Sequence, residues 1–158
     1  MAALKFVRSV LKSFMAESGL EPRLFGEHLR VTTAEPGRVE MELDIRKEHT
    51  NRLNIIHGGT IASMVDLGGS LAVASRGLYA TGVSTDLNVT YLNSGGKVGD
   101  TLRAVVTCDK FGKTLAFTSV QFTNSKGEVA ARGSHTKYVA LAWKDSRNIV
   151  EELSPRRT

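Results

Sequence analysis

The sequence predicts an α+β domain in which an antiparallel sheet wraps one long buried helix. Three observations lead there. From Thr60 to Ser75 the chain is apolar on every side of a helical wheel, and Asp66 is its single charge. A helix apolar all round is a buried helix. At about 16 residues, interrupted by Asp66, Gly68 and Gly69, it is short for a membrane span. Next, Arg38–Ile45 alternates, with Val39, Met41, Leu43 and Ile45 on one face and Arg38, Glu40, Glu42 and Asp44 on the other. That is a half-buried strand. Finally, the strand-like runs after the helix are joined largely by short turns, which make a sheet antiparallel.

Taken in order, residues 1–19 read as an amphipathic helix. Leu4, Phe6, Val7, Val10, Leu11, Phe14 and Met15 fall near helical spacing, with Lys5, Arg8 and Lys12 between them. A basic N-terminus whose first acid is Glu17 has two readings: a helix packed on the domain surface, which is favoured, or a mitochondrial transit peptide. Residues 20–36 are loop-like, with Pro22, Gly26 and Pro36 as breakers and a short strand over Leu29–Thr33. After the helix, Gly82–Tyr91 alternates Val83, Leu87, Val89 and Tyr91 against Ser84, Asp86, Asn88 and Thr90. Two more runs follow, with Leu102, Ala104, Val106 and Cys108 on one face of the first and Thr114–Thr123 as the second, and Glu128–Leu141 is the last strand. The expected organisation is an N-terminal helix (1–19), a core domain (20–143) and a loose polar tail (144–158).

Composition narrows the function classes. A single cysteine, Cys108, permits no internal disulfide and suits a reducing compartment. The net charge of +5 comes with only 6% aromatic residues, which argues against a nucleic-acid face of basic and aromatic side chains. An anionic small molecule is the more economical partner, and much of the charge sits at the ends, as in Lys5, Arg8, Arg156 and Arg157. His28, His49 and His135 lack ligand-like spacing, so no metal is expected. Asp66 has two readings, a functional carboxylate or an acid at a wet helix edge.

Several segments together resemble a known family. His49-Thr50-Asn51 leads to His57-Gly58-Gly59, Asp66 follows in the helix, and Gly82–Tyr91, Gly112–Ser119 and His135-Thr136-Lys137 continue the pattern. These resemble the hotdog-fold acyl-CoA thioesterases of the PaaI-like group, over roughly residues 5–141. The resemblance implies a five- or six-stranded antiparallel sheet around the helix. It also implies hydrolysis of acyl-CoA to free acid and CoA without a separate cofactor, at dimer-interface sites within a tetramer of two dimers. A cytoplasmic or mitochondrial location fits, with no nucleic acid and no integral membrane contact.

For such chemistry a helix N-terminus offers free N–H groups, and Gly58 lets a carbonyl approach closely. Asn51 is a second donor or holds the loop. Asp66 is the general base on water or the nucleophile, Ser84 positions the water or the acid, and His57 orients the turn rather than acting as a base. The resemblance points to Tyr91, Lys110, Gly112, Lys113, Thr114, Lys137 and Tyr138 for CoA, with Lys113 and Lys137 as point charges for phosphates. Gly58 and Asp66 are eight residues apart, hence about 12 Å along one helix. A donor and a base serving one carbon must both come within about 3 Å of it. A composite site follows: Asn51 and Gly58 from one chain, Asp66 and Ser84 from its partner. The rivals are a non-catalytic acyl-CoA-binding scaffold and an acyl-thioester hydratase, which would need a histidine on the helix beside the acid.

Overall fold

The computed structural model describes residues 1–154, so Arg156 and Arg157 lie outside the described residues. Six strands form one antiparallel sheet, β1 (Leu29–Glu35), β2 (Arg38–Asp44), β3 (Val83–Tyr91), β4 (Thr101–Phe111), β5 (Leu115–Thr123) and β6 (Val129–Tyr138), in the spatial order β1-β2-β4-β5-β6-β3. The sheet curls around α3 (Gly58–Ala74), whose Met64, Val65, Leu71 and Val73 are fully buried. The concave face supplies Val39, Met41 and Leu43 from β2, and Leu102, Ala104 and Val106 from β4. These are the inward positions of the alternating runs, because side chains two apart share one face of a strand.

Close approach of α3 to the sheet explains its glycine pair. A Cβ on Gly68 would stand 2.9 Å from Val106 Cγ2 and 3.0 Å from Met41 Cε. Glycine is a poor helix former, yet here its missing Cβ is what lets the helix lie on β2 and β4.

The amphipathic N-terminal helix α1 (Ala2–Glu17) buries Ala3, Val7, Val10 and Leu11 against β1 and α3. A five-residue helix, α2 (Leu20–Leu24), opens the segment expected to be loop. β1 extends to Glu35, past the expected Thr33, because Pro36 and Gly37 (φ +86°) close a tight hairpin onto β2.

Two expectations are corrected. β3 does not pair with its successor β4; it pairs with β6 at the far edge of the sheet. Three strand spacings of about 4.8 Å separate β3 from β4, and the nine residues from Leu92 to Asp100 can span about 30 Å, so the loop crosses easily. The tail expected to be loose from Lys144 folds back on the domain through Ser154. Trp143 Nε1 donates to Gly112 O (3.2 Å) and its ring packs on Phe111. Asn148 Nδ2 donates to Ala142 O while its Oδ1 accepts from Tyr79 N. Ile149 N bonds Gly77 O, and the short helix α4 (Val150–Leu153) buries Leu153. Among the described residues no helix is long and apolar enough to cross a membrane.

Candidate active site

At the start of α3, the loop 51–57 is tied by its own side chains. Asn51 Oδ1 accepts from Leu53 N (2.9 Å) and Ile55 N (3.3 Å), an Asx turn that leaves its amide Nδ2 free to donate. Asn54 takes the left-handed conformation (φ +59°) that asparagine tolerates. His57 is the N-cap: its Nδ1 accepts from Gly59 N at 2.7 Å, which occupies the ring in orienting the turn. Thr60 Oγ1 reaches back to His49 O, and His57 N bonds the same carbonyl. The Gly58 N–H has no acceptor among the described residues, so the helix N-terminus presents it outward.

Tyr91, at the end of β3, closes this group. Its hydroxyl donates to Gly58 O at 2.6 Å, and a Cβ on Gly58 would meet its ring at 3.3 Å. Burial raises the Tyr91 pKa above its usual value, so the phenol remains a donor at neutral pH.

The second group lies two helical turns further along α3. Asp66 is not inside the core; its carboxylate is 55% exposed. Gly58, Gly59, Ala62, Ser63 and Asp66 form the open stripe of a helix otherwise buried, and their three- and four-residue spacing keeps them on one face. The helix N-terminus and the acid therefore share the side of α3 that the sheet leaves uncovered.

Ser84 joins Asp66 through an irregularity. Strict alternation would turn Ser84 outward with Asp86, Asn88 and Thr90. The β3–β6 register shifts between Ser84 and Asp86, and this bulge at Thr85 swings Ser84 to the helix face opposite Lys137, as bulges re-aim side chains. There Ser84 Oγ and His135 Nε2 are 2.6 Å apart, and that nitrogen is 3.8 Å from Asp66 Oδ1. His135 is 1% exposed and its Nδ1 has no hydrogen-bond partner. Burial first, then the Lys137 charge, lowers the His135 pKa against the pull of Asp66, so the imidazole is neutral at pH 7.

Lys137, expected to meet phosphate, is 3% exposed and its Nζ donates to Ser70 Oγ at 2.6 Å beneath the helix. Burial lowers its pKa to about 8, with Asp66 acting in the opposite sense. Its position on the inner face of β6 removes it from any solvent-facing cation set. Tyr91, also assigned to CoA, lies apart at the helix start, while the remaining CoA-assigned residues gather at the opposite end of the sheet. Lys110, Lys113, Thr114 and Tyr138 are exposed around the turn that Gly112 N closes on Leu115 O.

His135 is the member of this group that sequence reasoning set aside as a metal ligand without partners. The signal was its register: Ala131, Gly133, His135, Lys137 and Val139 share the inner face, so two titratable groups stand at apolar positions. Two concavities of the single chain lie away from Asp66. One of about 590 Å³ on the outer face is lined by Thr90, Thr107, Gln121 and Arg132, and one beside the helix start by Lys47, Asn51 and His57. Among the described residues no group of three or more potential metal ligands is found.

Known proteins resemble this chain in sequence and in fold. The pattern of the thioesterase superfamily matches residues 53–131. Acyl-coenzyme A thioesterase 13 of Homo sapiens is 38% identical over 134 residues, covering 84% of this chain and 94% of the human one. The crystal structure of thioesterase superfamily member 2 from zebra fish is similar at a TM-score of 0.77 and 34% identity, over 85% of this chain and 96% of the other. A Streptococcus mutans protein bound to acetyl CoA aligns at a TM-score of 0.66 and 28% identity, over 77% of this chain and 95% of that one.

Proposed function

Because this chain belongs to the thioesterase superfamily and is a thioester hydrolase with the hotdog fold, we propose that it cleaves acyl-CoA to the free carboxylic acid and CoA at a site shared by two copies of the chain. One observation carries the reading: an exposed carboxylate, Asp66, and a free N–H, Gly58, lie on the single open stripe of α3. They are too far apart to serve one carbon within one chain.

The open edge of β3 supports the pairing. β3 bonds β6 on one side only and is exposed along nearly its whole length. From Ser84 to Tyr91 it runs about 23 Å. Two β3 strands joined antiparallel about a two-fold axis lay the Tyr91 end of one beside the Ser84 end of the other. The Asn51 and Gly58 donors of one copy then approach Asp66 and Ser84 of the second.

The chemistry follows from these groups. The carbonyl oxygen of the thioester accepts hydrogen bonds from Gly58 N–H and Asn51 Nδ2, which stabilise the oxyanion as it forms. Asp66 takes a proton from water held beside Ser84 Oγ while the water oxygen bonds to the carbonyl carbon. Collapse breaks the C–S bond, and the leaving CoA sulfur takes the proton that Asp66 carries. Lys110 and Lys113, with Gly112, Thr114 and Tyr138, receive the CoA phosphates at the adjacent turn, where lysine acts as a point charge; Lys137 has no part in this. CoA enters as part of the substrate, and no further cofactor is required.

The test is thiol release from a panel of acyl-CoA substrates. Asp66→Ala is expected to lower kcat by roughly 100-fold or more, and Asp66→Asn to lose rate while still binding CoA. Turnover of no substrate, or a full rate in Asp66→Ala, defeats the assignment. Single-turnover hydrolysis in water carrying labelled oxygen is expected to label the acid product and leave Asp66 unlabelled.

A further inference from the structure

Three features, each unfavourable on its own, converge on one pair of side chains. The bulge at Thr85 interrupts the β3–β6 ladder and turns Ser84 inward. Gly69 sits mid-helix, where glycine is a poor helix former, and a Cβ there would fall on His135 Nδ1 and within 2.8 Å of Thr118 Oγ1. His135 itself is a buried imidazole whose Nδ1 is unpartnered, an arrangement that costs stability unless the ring has another use. The sole side-chain hydrogen bond of that ring is the one between Nε2 and Ser84 Oγ. Departures from local rules that meet at one point mark a functional site.

We propose that His135 is a positioning residue for hydrolysis, fixing the Ser84 hydroxyl so that its oxygen faces the attacking water beside Asp66. The inference rests on the thioesterase reading above and adds to it a residue that touches neither substrate nor water. His135 Nε2 accepts the Ser84 proton, which leaves the Ser84 lone pairs as the only acceptor sites of that hydroxyl. The attacking water then donates one hydrogen to Ser84 Oγ and the other to Asp66, and its own lone pair is left for the carbonyl carbon. We take the tautomer in which Nδ1 carries the single proton of the neutral ring and Nε2 accepts from Ser84. Gly69 is small because the ring occupies the space of its side chain.

The test is a double-mutant cycle on the full-length protein, read by thiol release from the best acyl-CoA of the panel. His135→Leu is expected to lower kcat about tenfold or more, as Ser84→Ala does, with KM changed less than about twofold. His135→Gln, whose amide oxygen reaches the Nε2 position, is expected to recover most of the rate. The Ser84→Ala/His135→Leu double variant is expected to be no slower than Ser84→Ala alone. Losses that multiply in the double variant, or a full rate in His135→Leu, overturn the proposal. The Gln variant guards against simple misfolding: a melting temperature like that of the unmutated protein with a rate as low as the Leu variant also overturns it. If the unmutated protein turns over no acyl-CoA, the function fails separately. The pair is then judged by imidazole nitrogen resonances, where Ser84→Ala must move the His135 Nε2 signal and an unmoved signal refutes the contact.

Discussion

The ammonium of Lys137 is almost wholly withdrawn from water and bonds one hydroxyl, that of Ser70. Burial brings its pKa from 10.5 to about 8, so holding it charged costs on the order of 3 kcal/mol at pH 7. The sign follows from proton counting. Between pH 8 and 10.5 the unfolded chain binds a proton that the folded chain has released, so stability rises with pH across that window and the cost is complete below it. His135 works in the same direction at lower pH: its pKa is depressed below 6.5, so acidification under that value favours the unfolded chain. Lys137→Met is therefore expected to raise the melting temperature at pH 7, by roughly 2–4 °C for each kcal/mol recovered, read by calorimetry. A lower melting temperature would show that the bond to Ser70 outweighs the burial. Gly58 is constrained differently, since a methyl group there meets the Tyr91 ring at 3.3 Å. Gly58→Ala is expected to disturb both the free N–H and the Tyr91 bond to its carbonyl, and to lower kcat more than stability.

Among the elements, β3 shows how one extra residue redirects a side chain. Deleting Thr85 would remove the extra residue and leave Ser84 opposite Lys137 on the inner face of a regular β3–β6 ladder. The deletion is expected to keep the contact between Ser84 and His135 and most of kcat, read by thiol release, whereas a loss as large as that of Ser84→Ala would show that the bulge itself sets the serine's aim. The C-terminal strap carries a stability prediction. Asn148→Ala removes the bonds to Tyr79 N and Ala142 O and strands a backbone N–H, so a loss of about 1–3 kcal/mol is expected, read in urea unfolding. These two elements also mark the limits of the sequence. Periodicity located α1, α3, β2 and β4–β6, because one buried face imposes a period of 3.6 or 2 on composition. The bulge was invisible, since an alternating pattern carries no sign of where the register slips. The strap was invisible because two side chains, Trp143 and Asn148, anchor an otherwise polar stretch. Asp66 was legible as the one charge in an apolar helix, and the open stripe explains it. His135 and Lys137 were legible only once β6 had a register, which depends on its two neighbours. The partner of β3 depends on a loop path that no local pattern encodes.

At the scale of the whole molecule, the candidate catalytic groups are sorted to opposite ends of β3. Donors cluster at its Tyr91 end, and the acid and serine at its Ser84 end. If two copies complete each site, mixing inactive Asp66→Ala and Asn51→Ala proteins restores activity. Random reassortment makes half the dimers mixed, each with one intact site, so about a quarter of the full rate is expected to return. No recovery after unfolding and refolding the mixture would mean that each chain works alone. The split also sets how damage spreads between copies. A chain lacking only Asp66 still lends its Gly58 end to an unmutated partner, so a mixed population loses rate in proportion to the faulty copies. A chain lacking both Asp66 and Asn51 silences every partner it meets. Inheritance of one lesion would thus be additive, and inheritance of both on the same chain would be dominant.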